Sequence, residues 1–184
     1  MKQILLLICF SLIFTGFIMS PTNQDNHPSR AEQLVNSTLA KTSEIIQKKY
    51  NIKPSGAGAA MPGGPIQELT LCFDTKYPYN KAELRKLLIH TAKELLYQIN
   101  TNNEIHQFLK IKPFTIRNIQ IIIYNQDKEG REVYDPEILT AEISQAILTY
   151  RTIDSKDSFK LKNEFKESYE DALKIIDENS SSHK

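Results

Sequence analysis

Between Gln67 and Ile99 the apolar residues change their period, and this change constrains the fold more than any other feature of the chain. From Gln67 to Asp74, Leu69, Leu71 and Phe73 fall on one face, with Glu68, Thr70 and Cys72 on the other. That period of two belongs to a strand with one buried face. After a break at Tyr77-Pro78-Tyr79, the residues Leu84, Leu87, Leu88, Ala92, Leu95, Leu96 and Ile99 recur at helical spacing. Asn80, with Glu83 three positions on, marks the start of that helix as a capping box. A half-buried strand has to lay its apolar face against another element, and the helix that follows supplies one.

The rest of the chain fits the same layered plan. Glu104 to Leu109 reads as a further helical turn. Pro113 introduces a strand over Thr115–Tyr124, rich in β-branched Ile116, Ile119, Ile121, Ile122 and Ile123. Ile138–Ser144 and Ile147–Ile153 read as two more strands, paired through Gln145-Ala146. A closing helix is expected from about Ser158 to Asp177, burying Leu161, Phe165, Tyr169, Ala172 and Ile176. The expected fold is therefore α+β: a largely antiparallel four-stranded sheet with helices packed on one face, preceded by an N-terminal helix.

That preceding helix opens at Ser29, with Glu32 completing a capping box. Ala31, Leu34, Val35, Thr38, Ile45 and Ile46 give it a weak apolar stripe, which could meet the domain or a partner. Pro54 to Pro65 holds four of the six glycines in the chain and is read as irregular, a flexible linker. The alternative, an anion-binding nest, lacks the Lys-Ser or Lys-Thr of a phosphate loop and the helix that should follow it. The layout is then 1–20 signal peptide or membrane anchor, 21–28 spacer, 29–52 helix, 53–65 Gly/Pro linker, 66–178 α+β domain and 179–184 disordered tail.

Export is written at the N-terminus. Met1-Lys2-Gln3 is followed by an almost unbroken apolar run from Ile4 to Met19, long for a signal-peptide core and short for a membrane span. Ser20 is a poor cleavage site, since Ile18 is not small and Pro21 follows, so cleavage and retention as an anchor both stand. Cys9 lies inside the run and leaves Cys72 alone in the mature domain, which therefore rests on its hydrophobic core. With 23 basic and 22 acidic residues and no basic stripe interleaved with aromatics, nucleic acid is not an expected partner.

Candidate chemistry is sparse. Cys72 as a nucleophile would need a histidine, and the nearest in sequence, His90, is read as solvated on the polar helix face with Glu83, Lys86 and Tyr97. His27, His90, His106 and His183 have no short ligand spacing, so no metal is expected. Asn125-x-Asp127-x-Glu129-Gly130 invites a calcium loop, but Pro136 stands where a bidentate Glu is needed, and a surface turn is the better reading. Glu164, Glu167, Glu170 and Asp171 alternate with Lys160, Lys162, Lys166 and Lys174 as on a solvated helix face, or a charged docking surface.

Met61-Pro-Gly-Gly-Pro-Ile-Gln-Glu-Leu69, Pro113-Phe-Thr-Ile-Arg-Asn118 and Asn163-Glu-Phe-Lys-Glu-Ser-Tyr-Glu170 resemble segments of a family of small exported proteins of chlamydia-like bacteria. The resemblance covers roughly 31–176. It implies an exported location and carries over no activity, cofactor or functional residue. The functional expectation is an exported or membrane-tethered envelope protein, periplasmic or anchored in the inner membrane, that binds a protein partner. Alternatives are an envelope hydrolase or other enzyme with a dispersed site, drawing on Cys72 or the Tyr77/Tyr79 turn, and a secreted effector. No catalytic residue and no cofactor is assigned. The surface expected to meet a partner is Met61, Gly63 and Gly64 with Tyr77 and Tyr79.

Overall fold

The structure, a computed structural model, describes residues 28–181. The apolar segment 1–20 and most of the spacer lie outside the described residues. Among those described, no helix is long and apolar enough to cross a membrane. The chain runs α1 (Arg30–Tyr50), β1 (Lys53–Ala60), β2 (Glu68–Asp74), α2 (Lys81–Asn100), the short α3 (Asn103–His106), β3 (Ile119–Tyr124), β4 (Thr140–Ser144), β5 (Ile147–Asp154), β6 (Asp157–Ser168) and α4 (Tyr169–Ser181).

The fold is α+β, with a six-stranded sheet in the order β1-β2-β3-β4-β5-β6. β2 and β3 are parallel, and all other neighbours are antiparallel. The parallel pair follows from α2, because parallel neighbours need a long crossover whereas antiparallel ones close through turns. α2 lies over β3 and β4, with α1 towards β1 and α4 towards β5 and β6. Both capping boxes are present, Ser29 with Glu32 and Asn80 with Glu83.

The stripe on α1 meets the domain. Leu34, Val35, Leu39 and Ile46 join Leu71, Phe73, Leu88, Leu95 and Ile121 in one core. Fully burying a side chain of this size stabilises the fold by about 1.5–3 kcal/mol.

Several expectations are corrected. The stretch read as a flexible linker contains β1, which pairs with β2 from Lys53↔Asp74 to Ala60↔Glu68. Its backbone bonds outweigh poor strand propensity, and glycine permits the approach: a Cβ at Gly56 would come within 3.3 Å of Cys72 Cβ. The closing helix starts later than expected. Asp157–Ser168 is β6, paired with β5, and only Tyr169 onward is helical. Leu161 and Phe165, expected to be buried, are exposed. The sheet thus has six strands where four were expected, and α4 continues to Ser181, into the stretch read as a disordered tail. The predicted strand over Thr115–Tyr124 begins only at Ile119, after a 3-10 turn at Ile116–Asn118.

Candidate functional site

Asn125 directly follows β3 and is fully buried. Its Oδ1 accepts from Thr75 Oγ1 (3.1 Å) and from the Tyr79 amide (2.8 Å). Its Nδ2 donates to the Tyr79 carbonyl (2.9 Å) and the Ile138 carbonyl (2.7 Å). One side chain thus holds together the segment leading into α2 and the segment leading into β4. Far from being the first position of a surface loop, Asn125 is a buried clamp between two connections. Downstream, Asp127 closes the turn itself, accepting from the Glu129 and Arg131 amides.

Between those two segments and β6 lies a cavity of about 450 Å³, walled by Pro78, Tyr79, Pro136, Ile138 and Phe165, with Lys81 and Glu137 at its polar margin. Tyr79 Oη donates to the Tyr50 carbonyl (3.1 Å) and lies 3.2 Å from Tyr77 Oη. Burial, and then the hydroxyl of Tyr77, push its phenol well above the ordinary value. The Lys81 ammonium stands 5.0 Å from the Tyr150 ring centroid and 5.3 Å from that of Phe165, within the range of a cation–π attraction.

Below Lys81, Arg85 one turn along α2 grips Glu167 of β6 through two bonds, Nε to Oε1 (2.8 Å) and Nη2 to Oε2 (2.9 Å). Tyr150 Oη donates to the same carboxylate at 2.5 Å. Burial works to raise the Glu167 pKa, but the bonds from Arg85 and Tyr150 outweigh it and hold the carboxyl below its usual value. This cluster ties α2 to β5 and to β6 at the edge of the sheet.

On the face away from the helices, Thr70, Gln120, Glu142, Arg151, Glu164 and Lys166 form a hydrogen-bonded and ion-paired chain from β2 to β6. The carboxylates read as lying on a helix face therefore belong in part to a strand, Glu164 on the open face and Glu167 turned inward. Cys72 sits half-buried on this open face. Burial first, then Asp74 and Glu142, push its thiol pKa up.

The expected partner surface is split. Tyr79 lines the cavity and Tyr77 abuts it, with ring centroids 4.9 Å apart. Met61, Gly63 and Gly64 occupy the turn before the opposite end of β2. The seven residues of β2 separate the two groups by roughly 20 Å. His90 is not solvated: it is half-buried, and its Nδ1 is hydrogen-bonded to Tyr50 Oη. Burial, then Lys49, Lys86 and Lys93, hold its pKa below the ordinary value. Among the described residues, no group of histidines, cysteines and carboxylates is placed to hold a metal ion.

The residues that sequence reasoning missed, Asn125, Ile138 and Phe165, are far apart in the chain. One signal was available: Phe159, Leu161 and Phe165 alternate with Lys160, Lys162, Glu164 and Lys166, the period of an edge strand. No family model, curated protein or solved structure matches this chain.

Proposed function

We propose that this domain is a non-catalytic interaction module, held in the cell envelope by its N-terminal apolar segment, and that a protein partner engages it at the cavity beside Phe165. One observation carries the reading: an apolar cavity adjoins the free edge of a sheet. β6 has β5 as its one neighbour among the described strands, so its outer backbone groups are open to pairing. Phe165, 47% exposed, belongs to both the edge and the cavity wall. Unpaired backbone along Asn163–Ser168 favours an extended segment, which adds a strand and turns an apolar side chain into the cavity. Lys81 at the margin favours a carboxylate beside that anchor.

A random peptide library selected against the full chain tests this. Peptides carrying an apolar residue next to an acidic one are expected, and their binding should perturb the backbone amide resonances of Asn163–Ser168, Tyr79 and Ile138. Binding should fall about tenfold or more in Phe165→Ser, the loss of one interface anchor. A selection in which no peptide perturbs the cavity and the β6 edge, or which yields no peptide at all, would overturn the reading. For location, intact mass in separated membrane and soluble fractions decides: full-length chain in the membrane supports tethering. A mass short of about twenty residues in the secreted fraction supports release.

A further inference from the structure

A second surface lies on the outward side of the helix layer. Lys86, His90, Lys93 and Tyr97 follow one another on α2 at intervals of four, three and four residues, and so share one face. Lys86 and Lys93 are exposed, and Tyr97 is 62% exposed. The Tyr50–His90 contact, with ring centroids 5.9 Å apart, brings the last turn of α1 beside this stripe. Lys49 Nζ lies 5.4 Å from the Tyr50 ring centroid. Burial first, then the charges of Lys49, Lys86 and Lys93, lower the His90 pKa, in keeping with the placement of these lysines along the two helices.

The carboxylates on these helices are engaged elsewhere. Glu44 pairs with Lys48, Glu83 accepts from the Asn80 amide and Glu94 accepts from Gln98. Among the described residues, none of Lys49, Lys86 and Lys93 has a carboxylate within ion-pair distance, whereas Arg85, Arg131 and Arg151 all do. In a chain with 23 basic and 22 acidic residues, this is a local concentration of unpaired positive charge.

We infer that the outward face of α2 around Lys86, Lys93 and Tyr97, with Lys49 from α1, is a docking surface for an acidic protein segment. Charge complementarity selects the occupant: three unpaired ammonium groups attract carboxylates, and Tyr97 offers an aromatic face for an adjoining side chain. A lipid surface fits less well. Tyr97 is the one large apolar side chain exposed on the stripe, too little for interfacial insertion. Lys49 also ends a 21-residue helix, so it lies roughly 30 Å from the Arg30 end that connects to the apolar N-terminal segment.

The test is fluorescence anisotropy of a labelled Glu-rich peptide titrated with the full chain. Binding should disappear when salt is raised to about 0.5 M, because exposed charges are then screened. It should weaken about tenfold or more in Lys86→Glu/Lys93→Glu and to a smaller extent in Lys86→Gln/Lys93→Gln, with far-UV circular dichroism unchanged. Phe165→Ser should leave it intact, which separates this surface from the cavity. Peptide binding that ignores charge reversal overturns the inference. So does a reversal that lowers association with anionic phosphatidylglycerol vesicles while sparing the peptide.

Discussion

Replacing Asn125 with alanine is expected to destabilise the domain by about 3–4 kcal/mol, because each orphaned buried polar group costs about 1–3 kcal/mol. The side chain is fully buried and makes four hydrogen bonds. Its removal leaves the Tyr79 amide, the Tyr79 carbonyl and the Ile138 carbonyl without those partners, while Thr75 keeps its bond from the Gln126 amide. Water entering the vacated space offsets part of the loss, which sets the figure at the lower end of the range. Typical domains are stable by about 5–15 kcal/mol, so the change is large. Urea unfolding followed by circular dichroism should show the midpoint falling by roughly 1.5–2 M for a slope near 2 kcal/mol per molar. Asn125→Asp sharpens the test, because a carboxylate keeps the two acceptor bonds but turns against the Tyr79 and Ile138 carbonyls. Burial raises the pKa of the introduced carboxyl above its unfolded value, so this variant should lose stability relative to Asn125→Ala as pH rises from 4 to 7, in the direction of linkage for a raised group. A loss below about 1 kcal/mol in Asn125→Ala, against the expected orphan penalty, would refute the clamp.

Glu167→Ala should cost about 3–5 kcal/mol, since it strands Arg85 in a mostly buried setting, and thermal unfolding checks it. Because the Glu167 carboxyl is depressed in the fold, its contribution is present above the unfolded pKa and should fade as pH falls through the folded value. His90 is also depressed, so the unfolded chain takes up its proton first. Stability should fall as pH drops below 6.5, and His90→Gln should flatten that slope in unfolding curves measured across the range. Cys72, half-buried with a raised pKa, should react with iodoacetamide more slowly than a free model thiol, read by mass spectrometry of the peptide that contains it. A faster reaction would favour the enzymatic alternative.

Much of the fold was legible because it is local. The alternation Leu69, Leu71, Phe73 and the stripe from Leu84 to Ile99 are properties of consecutive residues, as are the two capping boxes, and each element forms where they indicate. β1 was not legible, because Lys53–Ala60 has almost no side chains to pattern and becomes a strand only where β2 offers a partner. β6 was misread because its charges also fit helical spacing, although its apolar residues alternate. Pairing with β5 settles between the two periods. The same division runs through the candidate site. Tyr77 and Tyr79 stand out as a break between a strand and a helix, and one of them lines the cavity. Ile138 reads as an ordinary strand residue and Phe165 as part of a closing helix until the tertiary fold sets both in the wall of one cavity. Sequence by itself determined which segments carry an apolar face and where helices begin, since periodicity and capping act over a few residues. Only the tertiary structure decided what β1 and β6 are and where a cavity opens, because strand pairing, and a clamp such as Asn125, depend on backbone groups far apart along the chain.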